Sequence, residues 1–121
     1  MSALLWVLQV LLAAVFGAAG GLKLIKSKEE LLPQMGAIEP YRPLSIKGIG
    51  LAEVLGAAGL VVPPFVGWEE LVPWAAVGLG SVAVGAVMAH AERSEWPKTV
   101  LPAGLLALCV VVMAGRTLLP A

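Results

Sequence analysis

Residues 44–63 read Leu-Ser-Ile-Lys-Gly-Ile-Gly-Leu-Ala-Glu-Val-Leu-Gly-Ala-Ala-Gly-Leu-Val-Val-Pro. This is an apolar run broken only by Lys47 near its start and Glu53 inside, and closed by Pro63 and Pro64. A helix crosses a hydrocarbon core of about 30 Å with roughly 20 predominantly apolar residues. The run is long enough to do so. Within lipid every backbone N–H and C=O must be bonded inside the segment, which makes a helix the conformation to expect. The two prolines stop it, because proline brings no N–H and its ring collides with the preceding turn.

Three further runs share this character. One covers about residues 3–22, carries no charge, and has Gln9 as its most polar side chain. Another covers about 71–89, is also uncharged, and ends against His90. The last covers about 99–119, with Arg116 near its end. With 44–62 these spans predict an all-α fold, an integral membrane bundle of four transmembrane helices with short loops. The whole chain 1–121 then forms a single transmembrane domain, whose longest connection is a basic loop at 23–43. The first run is read as a span and not as a cleaved signal peptide, since no basic residue precedes it.

Composition agrees. The chain has 121 residues, 60% hydrophobic and only 13% charged, against about 25% charged in soluble domains. Eight basic and eight acidic residues cancel, so no net field draws it to nucleic acid. The single cysteine, Cys109, excludes a disulfide scaffold, paired-cysteine zinc sites and CxxC redox chemistry. No metal site and no catalytic set is expected.

The connections carry local signals. Pro73 fits the first turn of the third span, and Ser45 is a candidate cap for the second. Ser27 followed by Glu30 is a capping-box pattern, which predicts a short interfacial helix from Lys28 to Met35, with Pro33 opposing it. Pro40 and Pro43 around Tyr41 and Arg42 predict a rigid turn. The first loop holds Lys23, Lys26, Lys28 and Arg42, and the third holds Arg93 and Lys98. By the positive-inside rule these loops face the cytoplasm of a multi-pass cell (inner) membrane protein, with both termini outside. Trp6, Trp68 and Trp74 then mark the outer interface, and Trp96 with Tyr41 the inner one.

Helices in lipid associate through close packing and hydrogen bonds. Small residues at four-residue spacing propose the contact faces: Gly17 with Gly21, then Gly48, Ala52 and Gly56, then Ser81 and Gly85. Gln9 is expected to bond a neighbouring helix. Cys109 is expected to be a packed small hydrophobe, and Arg116 a residue that snorkels to the interface.

Glu53 needs a partner most. It sits about two turns, or about 10 Å, into the second span. A carboxylate at the bilayer centre costs about 2.5–3.5 kcal/mol on insertion scales. Topology brings the ends of the first and third spans to the same side, so Lys23, His90 and, one turn on, Arg93 are its candidate partners. Lys23, Glu53, His90 and Arg93 form the expected ligand- or lipid-binding cluster in one leaflet. Lys23, Lys26 and Lys28 can also meet anionic lipid headgroups.

The run Ala19-Gly20-Gly21-Leu22-Lys23-Leu24 that closes the first span is similar to the span ending of DoxX-like membrane proteins. The second-span run Gly48-Ile49-Gly50-Leu51-Ala52-Glu53-Val54-Leu55-Gly56-Ala57-Ala58-Gly59-Leu60 resembles that family's glycine–glutamate–glycine span. The Gly- and Ala-rich third span ending at His90 fits as well, so the resemblance covers almost the whole chain. It implies a four-helix integral membrane protein, mostly of unassigned activity, some of whose relatives serve as small membrane subunits beside quinone-linked sulfur oxidation or thiol and oxidative-stress systems.

The sequence points to a non-catalytic membrane subunit or a lipid- or quinone-binding module. Its partners are membrane lipids, with a partner membrane subunit or a second copy of the chain as further candidates. Two alternatives stand beside it. One is a small proton-coupled transporter, although exporters of similar size carry their essential glutamate in the first span, which has no acid here. The other is an intramembrane oxidoreductase or isomerase using Glu53 and His90 as acid and base.

Overall fold

The computed structural model describes residues 2–118 of the chain. Its helices are α1 (Ser2–Ile25), α2 (Lys28–Leu31), α3 (Pro43–Val61), α4 (Leu71–Glu92) and α5 (Val100–Leu118). Single 3-10 turns lie at Gly36–Ile38, Pro63–Val66 and Trp96–Thr99, and no strand occurs among the described residues. Four stretches are long and apolar enough to cross a membrane: Ala3–Ile25, Pro43–Val61, Leu71–Glu92 and Trp96–Leu118.

The four long helices alternate in direction and form a ring. α1 lies broadly against α3 and α4 broadly against α5; α3 meets α4, and α1 meets α5 along a narrower seam. The core they share includes Leu12, Phe16, Leu60, Leu79, Cys109 and Val112. Cys109 is buried there as a small hydrophobe. The outward faces are also apolar, with Val7, Leu51, Leu55, Val77 and Val110 exposed. That distribution matches a bundle whose solvent is acyl chain, since helices hydrophobic all round belong in membranes.

The backbones of α1 and α3 approach closely at Gly20 and Gly50. A methyl group placed on Gly20 would lie 2.6 Å from the Gly50 carbonyl oxygen and 2.8 Å from the Glu53 Cβ. The small-residue faces therefore differ in phase from those expected. Gly17 does face Ala57, and Gly56 receives Leu79. Gly21, Gly48 and Gly85, however, look onto open space, and Ala52 and Ser81 are exposed. Ser81 bonds back to its own helix at the Val77 carbonyl, 2.9 Å. Glycine and alanine recur so often that several four-residue stripes overlap. The inward one is selected by burial of Glu53 and the large apolar side chains.

The basic loop folds under the bundle. The Ser27–Glu30 capping box forms, and the bond from the Ser27 N–H holds the Glu30 carboxyl below its ordinary range. The helix it starts ends at Leu31, well short of Met35, because Pro33 cannot donate to the preceding turn. Leu31 and Ile38 then pack on Ile46 of α3 as a second small core. Lys28 Nζ donates to the carbonyls of Glu39 (2.6 Å) and Tyr41 (2.8 Å), tying the loop into a strap. Lys47 Nζ donates to the carbonyls of Leu24 (2.9 Å) and Lys26 (2.7 Å), closing the C-terminal end of α1. At the start of α3 the cap residue is Arg42 with Pro43 in the first position, so Ser45 lies inside the helix. Proline's fixed φ and missing N–H suit that first position.

At the opposite end, Gln9 is fully buried and donates from Nε2 to the Leu60 carbonyl at 2.6 Å. That carbonyl would ordinarily accept from the residue four places on, which is Pro64. Gln9 supplies the donor that proline lacks. Arg116 Nε donates to Gln9 Oε1 at 2.6 Å and its guanidinium lies 5.8 Å from the Trp6 ring centre. Arg116 thus turns into the α1–α5 seam and does not snorkel outward. A buried amide oxygen and an indole face outweigh hydration for a weakly hydrated guanidinium.

Candidate functional site

In the half of the bundle next to the basic loops, all four long helices and the strap surround a cleft of about 570 Å³. Ala19 and Lys23 of α1, Ile49 and Glu53 of α3, Ala86 and His90 of α4, and Leu101 and Leu105 of α5 line it, with Met35 and Tyr41 from the strap. Its walls are mostly apolar and its polar groups few. Ligand cavities share that character, at volumes of about 300–1,000 Å³.

Glu53 anchors the cleft. It is ten residues along α3 from Pro43, about 15 Å at 1.5 Å per residue, near the middle of a helix of 19 residues. The helix begins only one residue before the expected span, and nine residues from Leu44, about 13.5 Å, already exceed two turns. Glu53 is 3% exposed. Lys23, near the C-terminal end of α1, reaches in so that its Nζ lies 2.6 Å from Glu53 Oε1. The Gly20–Gly50 contact makes this reach short: a methyl on Gly50 would sit 2.8 Å from the Lys23 Cβ. Each ion alone in lipid carries a cost of kcal/mol scale. Paired, they bring no net charge into the cleft.

His90 enters the same cleft but does not touch Glu53. Its Nδ1 bonds Glu95 Oε1 at 3.0 Å instead. Glu95 also meets Arg93 Nε at 3.4 Å and Lys98 Nζ at 3.5 Å. The His90 hydrogen bond, helped by Lys98 and Arg93, holds the Glu95 carboxyl below its ordinary range. Arg93 stands outside the cleft, exposed, against Gly36 of the strap. The reason is local: α4 ends at Glu92, and the following turn carries Arg93 to the surface. Of the four expected residues, three line one cleft and two are in contact.

Strap residues Met35 and Tyr41 went unforeseen. A signal for part of the strap exists in the sequence, since Leu31, Met35 and Ile38 are spaced as one helical face inside a basic loop. The basic residues also divide. Lys26, Lys28 and Lys47 border a separate hollow, together with Ser27 and Glu30. Two of these amines are already bonded to backbone carbonyls. Among the described residues, no three His, Cys, Asp or Glu side chains come close enough to share a metal ion.

Four apolar helices closed around a buried ion pair make this an integral membrane bundle. The profile of the DoxX-like family matches residues 7–112, and the chain belongs to that family. No curated protein and no solved structure gives a significant match.

Proposed function

We propose that the protein is a small non-catalytic membrane module that holds a lipid-like molecule in the cleft between its helices. A single observation carries this reading: an apolar cleft of about 570 Å³ encloses the Lys23–Glu53 pair and His90 at its polar end. An amphiphile has matching parts, a tail for the apolar walls and a head for the polar residues. A pair serving only to fasten two helices has no need of a cleft beside it. The basic loops, and with them the strap and the cleft, face the cytoplasm of the cell membrane, as the excess of Lys and Arg on that side favours. A reporter fused after Ala121 is then active only when exported.

The reading is tested by filling the cleft. Ala86 lies on its α4 wall. Wild-type protein and Ala86→Phe are purified in nanodiscs carrying native lipid, and bound amphiphiles are extracted and quantified. The wild type retains a stoichiometric amphiphile and the helical, folded variant loses it. Equal retention by both, or none by the wild type, contradicts the proposal.

A further inference from the structure

Resting on that reading, we infer that the bound molecule has an uncharged head carrying a hydroxyl group, and that its tail leaves the bundle between α1 and α5. The charge balance of the cleft points there. Lys23 is neutralised by Glu53 at 2.6 Å. His90, the other titratable nitrogen on the wall, faces Glu95 at 3.0 Å. An ionic headgroup would meet no uncompensated countercharge and would have to divide a buried pair, which is strongly unfavourable in low dielectric. Lys26 borders a different hollow, where the neighbouring Lys47 amine is already held by two backbone carbonyls.

An uncharged hydroxyl-bearing head suffers no such conflict. The Lys23 ammonium has three donors, and among the described residues its one hydrogen bond is to Glu53 Oε1. The Glu53 carboxylate has a second oxygen whose hydrogen-bonding capacity that contact leaves available. A head with a hydroxyl and a further oxygen accepts from Lys23 and donates to Glu53 while the pair stays intact. A head with acceptors only leaves the carboxylate unserved.

The exit follows from how α1 and α5 meet. They are pinned at the end carrying the termini, by Leu5 against Gly115 and by Gln9 with Arg116. At the other end both helices line the cleft, through Ala19 and Lys23 on one side and Leu101 and Leu105 on the other. A chain lying there passes from the polar end straight into the bilayer.

The experiment uses two probes with one oleoyl tail each: monooleoylglycerol, which is uncharged, and oleoyl lysophosphatidic acid. The full chain is placed in phosphatidylcholine nanodiscs with equal amounts of both, and retained adducts are counted by native mass spectrometry. The wild type favours monooleoylglycerol by about tenfold, and Glu53→Gln, which leaves the Lys23 cation alone, reverses the preference. The double variant Lys23→Gln with Glu53→Gln restores an uncharged cleft and keeps the wild-type order. Wild-type preference for the phosphate probe overturns this inference and leaves the binding proposal standing. So does an unchanged preference in folded Glu53→Gln. Retention of neither probe by folded wild type overturns both.

Discussion

Replacing Gln9 by leucine keeps the side chain's size and removes two hydrogen bonds. The Leu60 carbonyl loses its donor and Arg116 Nε loses its acceptor, both at 2.6 Å. Interhelical hydrogen bonds in membrane proteins contribute about 0.6 kcal/mol on average and up to about 1.7. Two short bonds, one buried and one part-buried, therefore put the loss at about 1–3 kcal/mol. The Trp6 contact that Arg116 keeps, at 5.8 Å, holds the figure toward the lower half. Gln9 matters because Pro64 has no N–H to donate to the Leu60 carbonyl. Pro64→Ala supplies a backbone donor four residues after Leu60, so it should relieve part of the damage in the Gln9→Leu background. The assay is reversible unfolding in mixed micelles followed by circular dichroism, run as a double-mutant cycle. A coupling of about 1 kcal/mol is expected. A Gln9→Leu variant as stable as wild type, or the absence of coupling with Pro64→Ala, contradicts this role for Gln9.

Three other outcomes follow from the same geometry. Gly20→Ala pushes a methyl to 2.6 Å from the Gly50 carbonyl oxygen and should destabilise by about 1–3 kcal/mol, whereas Gly21→Ala, facing open space, should be neutral or gain up to about 1 kcal/mol of helix propensity; the same unfolding assay separates them. Glu53→Gln should insert normally yet alter stability more than Glu70→Gln, because Glu53 is buried against Lys23 while Glu70 is exposed; indistinguishable melting of the two variants removes the special role of Glu53. Glu95 has its carboxyl held below the ordinary range by His90, so its contribution is present above the unfolded carboxyl's pKa of about 4.3 and is lost as pH falls through the lowered native value. The melting temperatures of wild type and Glu95→Gln should differ at neutral pH and converge in acid, and a gap that persists in acid contradicts the assignment.

The spans were legible because lipid imposes a length and tolerates few charges, and a chain that is 60% hydrophobic has little room for another arrangement. The Lys23–Glu53 contact was legible for a related reason. A deep acid needs a cation, and alternating helices set the end of α1 beside the first half of α3, from where Lys23 reaches Glu53. The helix-packing phase was not. Gly17, Gly20 and Gly21 are chemically alike, and only packing distinguishes Gly20, which meets Gly50, from Gly21, which meets nothing. Topology alone makes His90 a candidate partner of Glu53. Yet a residue five positions on, after a turn that puts Ser94 at positive φ, is the nearer partner. The fold of the basic loop was hidden by its charge: Lys28 reads as a topology signal, while in the structure it and Lys47 hold backbone carbonyls and set the strap under the cleft.

An inhabited space beside the Lys23–Glu53 pair underlies the proposed function. A density map of the protein purified with its native lipid looks directly into it. An elongated feature whose polar end lies within hydrogen-bond distance of Lys23 and Glu53, and whose tail runs out between α1 and α5, is the predicted result. Side chains collapsed to fill that volume, or a Glu53 carboxylate turned to the acyl chains without Lys23, would contradict it.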